Sequence, residues 1–291
     1  MEYKLKMNEK FLKIGLILIA LLGFIASIYS IIIYDAIYFL FGLHLFVIFG
    51  IGIVWLLQKK YLSQIIYSNY QNTEKIFEKI SISYRQIEAL NNLFYSLKPR
   101  MPLPQMRGWA ASPDFLCSII KTIIESKPNY ILETGCGVST LVMAYTIENY
   151  SLKSKITCLE HDKQYADRIN HLIGLHGLSG YVDIVYAPLA NTKVDQKNYM
   201  WYDLSQKYIP NDIDMLVIDG PPADSNPIAR YPAIPLLWGK IRNKCAIMLD
   251  DYEREGEKKV VEMWLNNFKL KISEEYNYDK GLVVIVKDNE I

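Results

Sequence analysis

The chain has 291 residues, of which 51% are hydrophobic, 22% charged and 13% aromatic, and a formal net charge of +1. These averages describe a globular protein of one or two domains, and they exclude a disordered chain, a collagen-like repeat and a strongly basic nucleic-acid binder. Mean hydropathy is +0.06, high for that charge content, and the surplus is concentrated at the N-terminus.

From Ile14 to Leu57 the only formal charge is Asp35. A bilayer-spanning helix needs about 20 apolar residues, because roughly 30 Å of hydrocarbon is crossed at about 1.5 Å per residue. The stretch therefore reads as two spans, 14–34 and 36–57, with Asp35 at a very short turn, so that residues 1–60 form a transmembrane hairpin. One longer helix would place that carboxylate near mid-bilayer, where it is costly. Lys4, Lys6, Lys10 and Lys13 precede the first span and Lys59 and Lys60 follow the second. The positive-inside rule puts both ends, and the rest of the protein, in the cytoplasm, with the lipid bilayer as a partner. Tyr34, Tyr38 and Trp55 stand where interfacial aromatics are expected. A cleaved signal peptide would have an apolar region of only about 7–15 residues. His44, inside the second span, is read as a helix–helix hydrogen bonder.

Residues 61–98 contain no glycine and no proline. Ile66, Thr73, Ile80, Ile87 and Phe94 recur every seven residues, as do Leu62, Asn69, Ile76, Ser83, Leu90 and Leu97. The pattern predicts a long amphipathic stalk: a coiled coil that would make a homo-oligomer, or a helix lying against the next domain. Residues 99–108 form a linker by their Pro and Gly content. Residues 1–60 carry a net +3 and the remainder a net −2, so the main domain has no electrostatic footprint for nucleic acid. The four cysteines include no C-x-x-C pair, which predicts reduced thiols in a cytosol-facing domain.

Residues 99–291 alternate between helix and strand patterns. Ser112-Pro113-Asp114 reads as a capped helix start, the helix running to Ser126. Strands are predicted at 130–133, 155–160, 182–186, 215–219, 245–249, 270–274 and 282–286. Helices are predicted at 139–149, 163–177, 231–242 and 257–267. This order implies an α/β, doubly wound, Rossmann-like domain with a mostly parallel sheet covered on both faces. Ligands of such sheets bind outside the carboxyl ends of the strands.

The strand at 130–133 leads into Glu133-Thr-Gly135-Cys-Gly137-Val-Ser139-Thr140. Its glycines allow a tight turn and close approach of a ligand, and the following helix N-terminus offers free N–H groups. Thr140 stands where a dinucleotide fingerprint has its third glycine, and Glu133 would repel a pyrophosphate; both disfavour an NAD-dependent oxidoreductase. Glu160 closes the strand at 155–160, 25 residues after Gly135, near the spacing at which an acidic side chain accepts from ribose hydroxyls. His161 either flanks a bound base or is a solvated loop residue, and Asp162 reads as the cap of the next helix.

On these motifs, with the Val-Ile-Asp-Gly run ending at Gly220 and the last strand pair, residues 108–291 resemble a class I S-adenosylmethionine-dependent methyltransferase. The resemblance implies that Glu133, Gly135, Gly137 and Ser139 face the methionine end of S-adenosyl-L-methionine. It implies that Glu160 takes the ribose and that the turn at Ala187 lines the adenine. Asp219, Asp250 and Asp251 also follow strands, an arrangement similar to the catechol O-methyltransferase and sugar O-methyltransferase groups. It implies a divalent metal such as magnesium on these three carboxylates, with Asp219 as catalytic residue. Pro222 replaces the catalytic lysine of the catechol enzymes, and Asp251 replaces an amide. The alternative leaves Asp219 as a metal-free base and Asp250 and Asp251 as helix-capping groups. Trp109 and Arg230 flank the expected cleft as substrate contacts, or serve as a core lid and a carboxylate partner. The implied function is a membrane-anchored methyltransferase acting on a hydroxyl of a small-molecule, glycan or lipid-linked acceptor. A non-catalytic membrane scaffold with a ligand-binding methyltransferase fold is the alternative.

Overall fold

The computed structural model describes residues 2–33, 36–106, 108–205, 207–226 and 228–288. Tyr34, Asp35 and Arg107 lie outside the described residues, as do the side chains of Tyr38 and of the four N-terminal lysines. The chain divides into two compact units, Met1–Glu78 and Lys79–Ile291.

The first unit consists of α1 (Glu2–Ile33) and the larger part of α2 (Ala36–Leu97). Within Phe39–Leu97 an 18-residue window has a mean hydropathy of 2.4 and no buried residue, which is long and apolar enough to cross a membrane; Ile17–Ile33 is a shorter apolar helical stretch. Phe24, Ile32, Phe41, Ile48 and Trp55 are all exposed. His44 Nδ1 lies 2.9 Å from the Leu40 carbonyl one turn back, so its bond stays within its own helix and not between helices.

α2 continues through the stalk without a break until Pro99, which cannot extend a helix. Along residues 61–78 the heptad side chains are exposed, whereas Leu93 and Leu97 are fully buried in the core of the second unit. There Gln86 Nε2 donates to Asp114 Oδ2 at 2.5 Å and Cys117 Sγ to the Ala89 carbonyl at 3.3 Å. These last turns of α2 thus lie against the domain, while the heptad side chains of residues 61–78 stay exposed.

The second unit continues with α3 (Pro113–Ser126), β1 (Tyr130–Thr134), α4 (Val138–Asn149), β2 (Lys155–Glu160), α5 (Lys163–Leu175) and β3 (Val182–Tyr186). Then follow β4 (Leu189–Val194), β5 (Lys197–Tyr202), β6 (Ile213–Ile218), α6 (Ala233–Leu237), β7 (Ile241–Asp250), α7 (Glu255–Asn267), β8 (Leu270–Tyr276) and β9 (Leu282–Lys287). Seven strands form one sheet in the order β3-β2-β1-β6-β7-β9-β8. β9 runs antiparallel to both its neighbours and the other pairs are parallel. The chain winds outward from β1 to β3, then crosses back to lay β6 on the other side of β1. That reversal opens a crevice at the carboxyl ends of β1 and β6.

Side chains alternate between the two sheet faces, as the strand repeat requires. Ile131, Met215, Val217 and Met248 join the core that covers one face with residues of α3 and α4. Leu132, Leu216, Ile218 and Ile247 join the other, with Trp264 of α7 and Trp201 of β5.

Three expectations are corrected. The predicted helix at 231–242 shrinks to the five residues of α6, because Pro232 and Pro235 restrict its backbone, and Ile241 already begins β7. Leu189–Tyr202, where no strand is predicted, is an antiparallel hairpin apart from the main sheet, turning at Asp195 and Gln196, both with positive φ. The Ser112 hydroxyl does not cap α3; it donates to Asp114 Oδ1 at 2.5 Å, and that oxygen accepts the Phe115 N–H at 2.9 Å.

Candidate active site

The β1–α4 turn is bound to both neighbouring strands. Gly135 N–H donates to the Leu159 carbonyl (2.9 Å), Asp219 N–H to the Thr134 carbonyl (3.1 Å), and the Thr134 hydroxyl to the Gly220 carbonyl (3.0 Å). Gly135 adopts φ +89°, and a Cβ there would lie 3.2 Å from Gly220 N. This position needs glycine for both conformation and space. At Gly137 the backbone is extended, and its N–H donates to Thr140 Oγ1 at 3.0 Å, closing the start of α4.

Glu133 sits beneath this turn and not on the cavity wall. It is fully buried, Oε1 accepting from Ser139 Oγ at 2.5 Å and Oε2 from Thr140 Oγ1 at 2.6 Å. Burial pushes its carboxyl up to about 7, and the two hydroxyl bonds offset part of that rise. Ser139, unlike Glu133, reaches the cavity.

Glu160, at the end of β2, holds the second wall. Its Oε1 accepts the backbone N–H groups of His161 (2.8 Å) and Asp162 (2.9 Å), and Oε2 accepts that of Cys136 (3.2 Å). Oε2 also accepts from Cys136 Sγ at 3.5 Å, and Glu160 lines the cavity. His161 Nδ1 lies 2.9 Å from Glu160 Oε1 without hydrogen-bonding alignment, and its ring meets Tyr202 edge to face. Asp162 caps α5 as expected, accepting from Gln164 N and Tyr165 N. Ala187 is fully buried in the core beneath and does not line the cavity.

Asp219, Asp250 and Asp251 each bring one carboxylate oxygen within 4.8 Å of the others. Arg230, 3% exposed, lies among them. Nη1 donates to the Asp250 carbonyl at 2.7 Å, and Nη2 reaches the Asp219 carbonyl (2.8 Å), Asp219 Oδ1 (3.2 Å) and Asp251 Oδ2 (2.6 Å). Arg254 approaches the same Asp251 oxygen at 2.9 Å. The Asp250 carboxylate is buried and has no hydrogen-bond partner among the described residues. Its burial, reinforced by Asp251, raises it to about 6. Burial, then the Asp250 charge, hold the Asp219 carboxyl well above the usual carboxylate range, while Arg230 pulls it down.

A cavity of about 280 Å³ joins these parts, with Gly135, Glu160, Asp219 and Asp251 on its walls and Trp109, 79% exposed, at its rim. Tyr202, Tyr165 and Arg254 also line it, and the sequence reading missed all three. Tyr202 arrives on the β4–β5 hairpin, and its hydroxyl has no hydrogen-bond partner among the described residues.

Residues 132–252 match a family described as methyltransferase domain. Among solved structures, a Podospora anserina methyltransferase bound to S-adenosylhomocysteine aligns with a TM-score of 0.50 at 15% identity, covering 69% of this chain and 88% of that one. A Bacillus cereus O-methyltransferase in complex with S-adenosylhomocysteine aligns with a TM-score of 0.47 at 19% identity, covering 69% of this chain and 90% of that one. No curated protein sequence matches the chain significantly.

Proposed function

We propose that the chain is a class I S-adenosylmethionine-dependent methyltransferase that methylates a hydroxyl oxygen of a small-molecule, glycan or lipid-linked acceptor at a membrane surface. The observation that carries this reading is one cavity that brings a glycine turn and two carboxylates together. Gly135, Ser139, Glu160 and Asp219 all line it.

The β1–α4 turn and Glu160 fit the cofactor. The tight turn at Gly135, which admits no Cβ, brings backbone to the cavity, and Glu160 sets a carboxylate on the same cavity, where a hydroxyl would replace the weak Cys136 thiol donor. S-adenosylmethionine, when bound, supplies a methyl carbon activated by its sulfonium. Ser139 and the first turn of α4 offer hydrogen-bonding groups to the amino-acid end. Glu133 contributes from below by holding Ser139 and Thr140 in place. Asp219, which lines the same cavity, is the group that takes the acceptor's hydroxyl proton. Arg230, with Nη2 3.2 Å from Asp219 Oδ1, favours the carboxylate form that this role requires. Trp109 at the rim presents an exposed aromatic face to an acceptor.

The three carboxylates do not fit a divalent cation while Arg230 is in place. Its guanidinium already holds oxygens of Asp219 and Asp251, and no step of the transfer is assigned to a metal.

We read α1 and the first part of α2 as a two-pass anchor with the N-terminus and the domain in the cytoplasm. The exposed apolar surface of both helices and the flanking lysines support it. An anchor raises the effective concentration of membrane-borne acceptors.

Calorimetry with S-adenosylhomocysteine on the full chain in detergent tests the reading. Binding is expected, and Asp219→Asn is expected to keep binding while losing methyl transfer from labelled S-adenosylmethionine to a membrane extract. A folded protein that binds no S-adenosylhomocysteine overturns the methyltransferase reading. Intact binding with no transfer in the wild type favours the scaffold alternative.

A further inference from the structure

The acidic cluster at the ends of β6 and β7 already contains a cation. Arg230 reaches it from the segment after β6, and its guanidinium ties four oxygens: the carbonyls of Asp219 and Asp250, Asp219 Oδ1 and Asp251 Oδ2. On its far side Glu257 Oε1 lies 3.7 Å from Nε, and Arg254 takes up Asp251 Oδ2 from the exposed edge. A magnesium ion on Asp219 and Asp251 would need oxygens at about 2.0–2.1 Å. Those are oxygens that Nη2 contacts, and like charges at such short range repel strongly in a site this dry. Planar, forked and permanently charged, a guanidinium suits bridging two carboxylates and two carbonyls in a way a lysine would not.

We infer that Arg230 is the resident cation of this site and a positioning residue for Asp219, occupying the place that a divalent metal would take, so that the protein binds no metal there. The inference rests on the methyltransferase reading for its catalytic meaning, and on geometry alone for the exclusion of metal. Arg230 fixes the Asp219 carboxylate against the Gly220 turn and clamps the ends of β6 and β7 to each other. Asp250, whose two oxygens have no hydrogen-bond partner among the described residues, is then the carboxylate of the three that the guanidinium leaves untouched, and it becomes a metal ligand only if the guanidinium is removed.

Mn²⁺ titration followed by electron paramagnetic resonance, on the full chain in detergent, tests this. The wild type is expected to bind no stoichiometric Mn²⁺ at millimolar metal. Arg230→Ala is expected to gain one Mn²⁺ per chain and to lose it again when Asp250→Asn is added, a gain that mere structural damage would not produce. One Mn²⁺ per wild-type chain, abolished by Asp250→Asn alone, would overturn the inference. That comparison decides the matter even if Arg230→Ala fails to fold. S-adenosylhomocysteine calorimetry on the same samples keeps the two readings separate: loss of cofactor binding in the wild type removes the methyltransferase assignment, whereas wild-type Mn²⁺ binding removes the resident cation.

Discussion

Gly135 and Gly220 lie back to back, so that a Cβ on Gly135 would stand 3.2 Å from Gly220 N and one on Gly220 would stand 3.2 Å from Gly135 Cα. The carboxyl ends of β1 and β6 meet at this contact, and the cavity opens beside it. Gly135→Ala would impose both a strained φ and a backbone clash. The strain alone costs about 1–3 kcal/mol. The apo melting temperature should fall, and S-adenosylhomocysteine affinity should fall at least tenfold, because the turn must shift. Wild-type affinity in that variant would show that the turn does not shape the site.

Much of this cleft is legible in the chain because its parts are local. Glu133 to Thr140 place a strand end, a glycine turn and a helix start within eight residues, and Asp162 caps α5 as its position suggests. The contacts that complete the site are not local. Gly220 is remote from Gly135, and Arg230 finds Asp219, Asp251 and Glu257 through the crossing of separate strands and helices. The resemblance turns Glu133 toward the ligand, and nothing in the sequence shows that Ser139 and Thr140 turn back to cover it. The β4–β5 hairpin escaped notice because its turn uses Asp195-Gln196 and not a glycine pair. Tyr202, which that hairpin delivers, was missed with it.

Glu133 makes stability depend on pH. Its carboxyl is raised to about 7 in the folded protein, chiefly by burial. The folded state therefore holds the proton more tightly than the unfolded chain. The resulting stabilisation is fully present below the ordinary glutamate range and is lost as pH rises through about 7. A shift of this size corresponds to roughly 3 kcal/mol. Glu133→Gln should flatten the fall in melting temperature between about pH 5.5 and about pH 8. If wild type and variant fall equally over that interval, the buried carboxyl is not the cause.

Glu160 is expected to serve two purposes that one substitution separates. Alanine removes the acceptor for three backbone N–H groups, at Cys136, His161 and Asp162. Each buried donor left unsatisfied costs about 1–3 kcal/mol. Glu160→Ala should therefore lower the melting temperature as well as cofactor affinity. Glu160→Gln keeps an acceptor for part of that set but removes the charge-assisted bond to a ribose hydroxyl. It should lose affinity by about tenfold with a smaller loss of stability. Equal binding by the glutamine variant and wild type would place the ribose elsewhere.

The apolar N-terminal unit carries the remaining prediction, which concerns sidedness. If α1 and the first part of α2 cross the bilayer as a hairpin, Asn8 and Asn69 lie on the same, cytoplasmic side. Single cysteines introduced by Asn8→Cys and Asn69→Cys should both resist a membrane-impermeant maleimide in intact cells and react after permeabilisation. The native thiols Cys136, Cys158 and Cys245 are buried and Cys117 half-buried, so their background labelling should be low. A single crossing would separate the two engineered sites, with one labelled from outside. Release of the chain from membranes by alkaline carbonate would instead make it peripheral. The apolar surface of α2 argues against release: side chains as large as Phe41, Ile48 and Trp55 are exposed along it, and each would be hydrated at a cost of about 1.5–3 kcal/mol without a lipid to cover it.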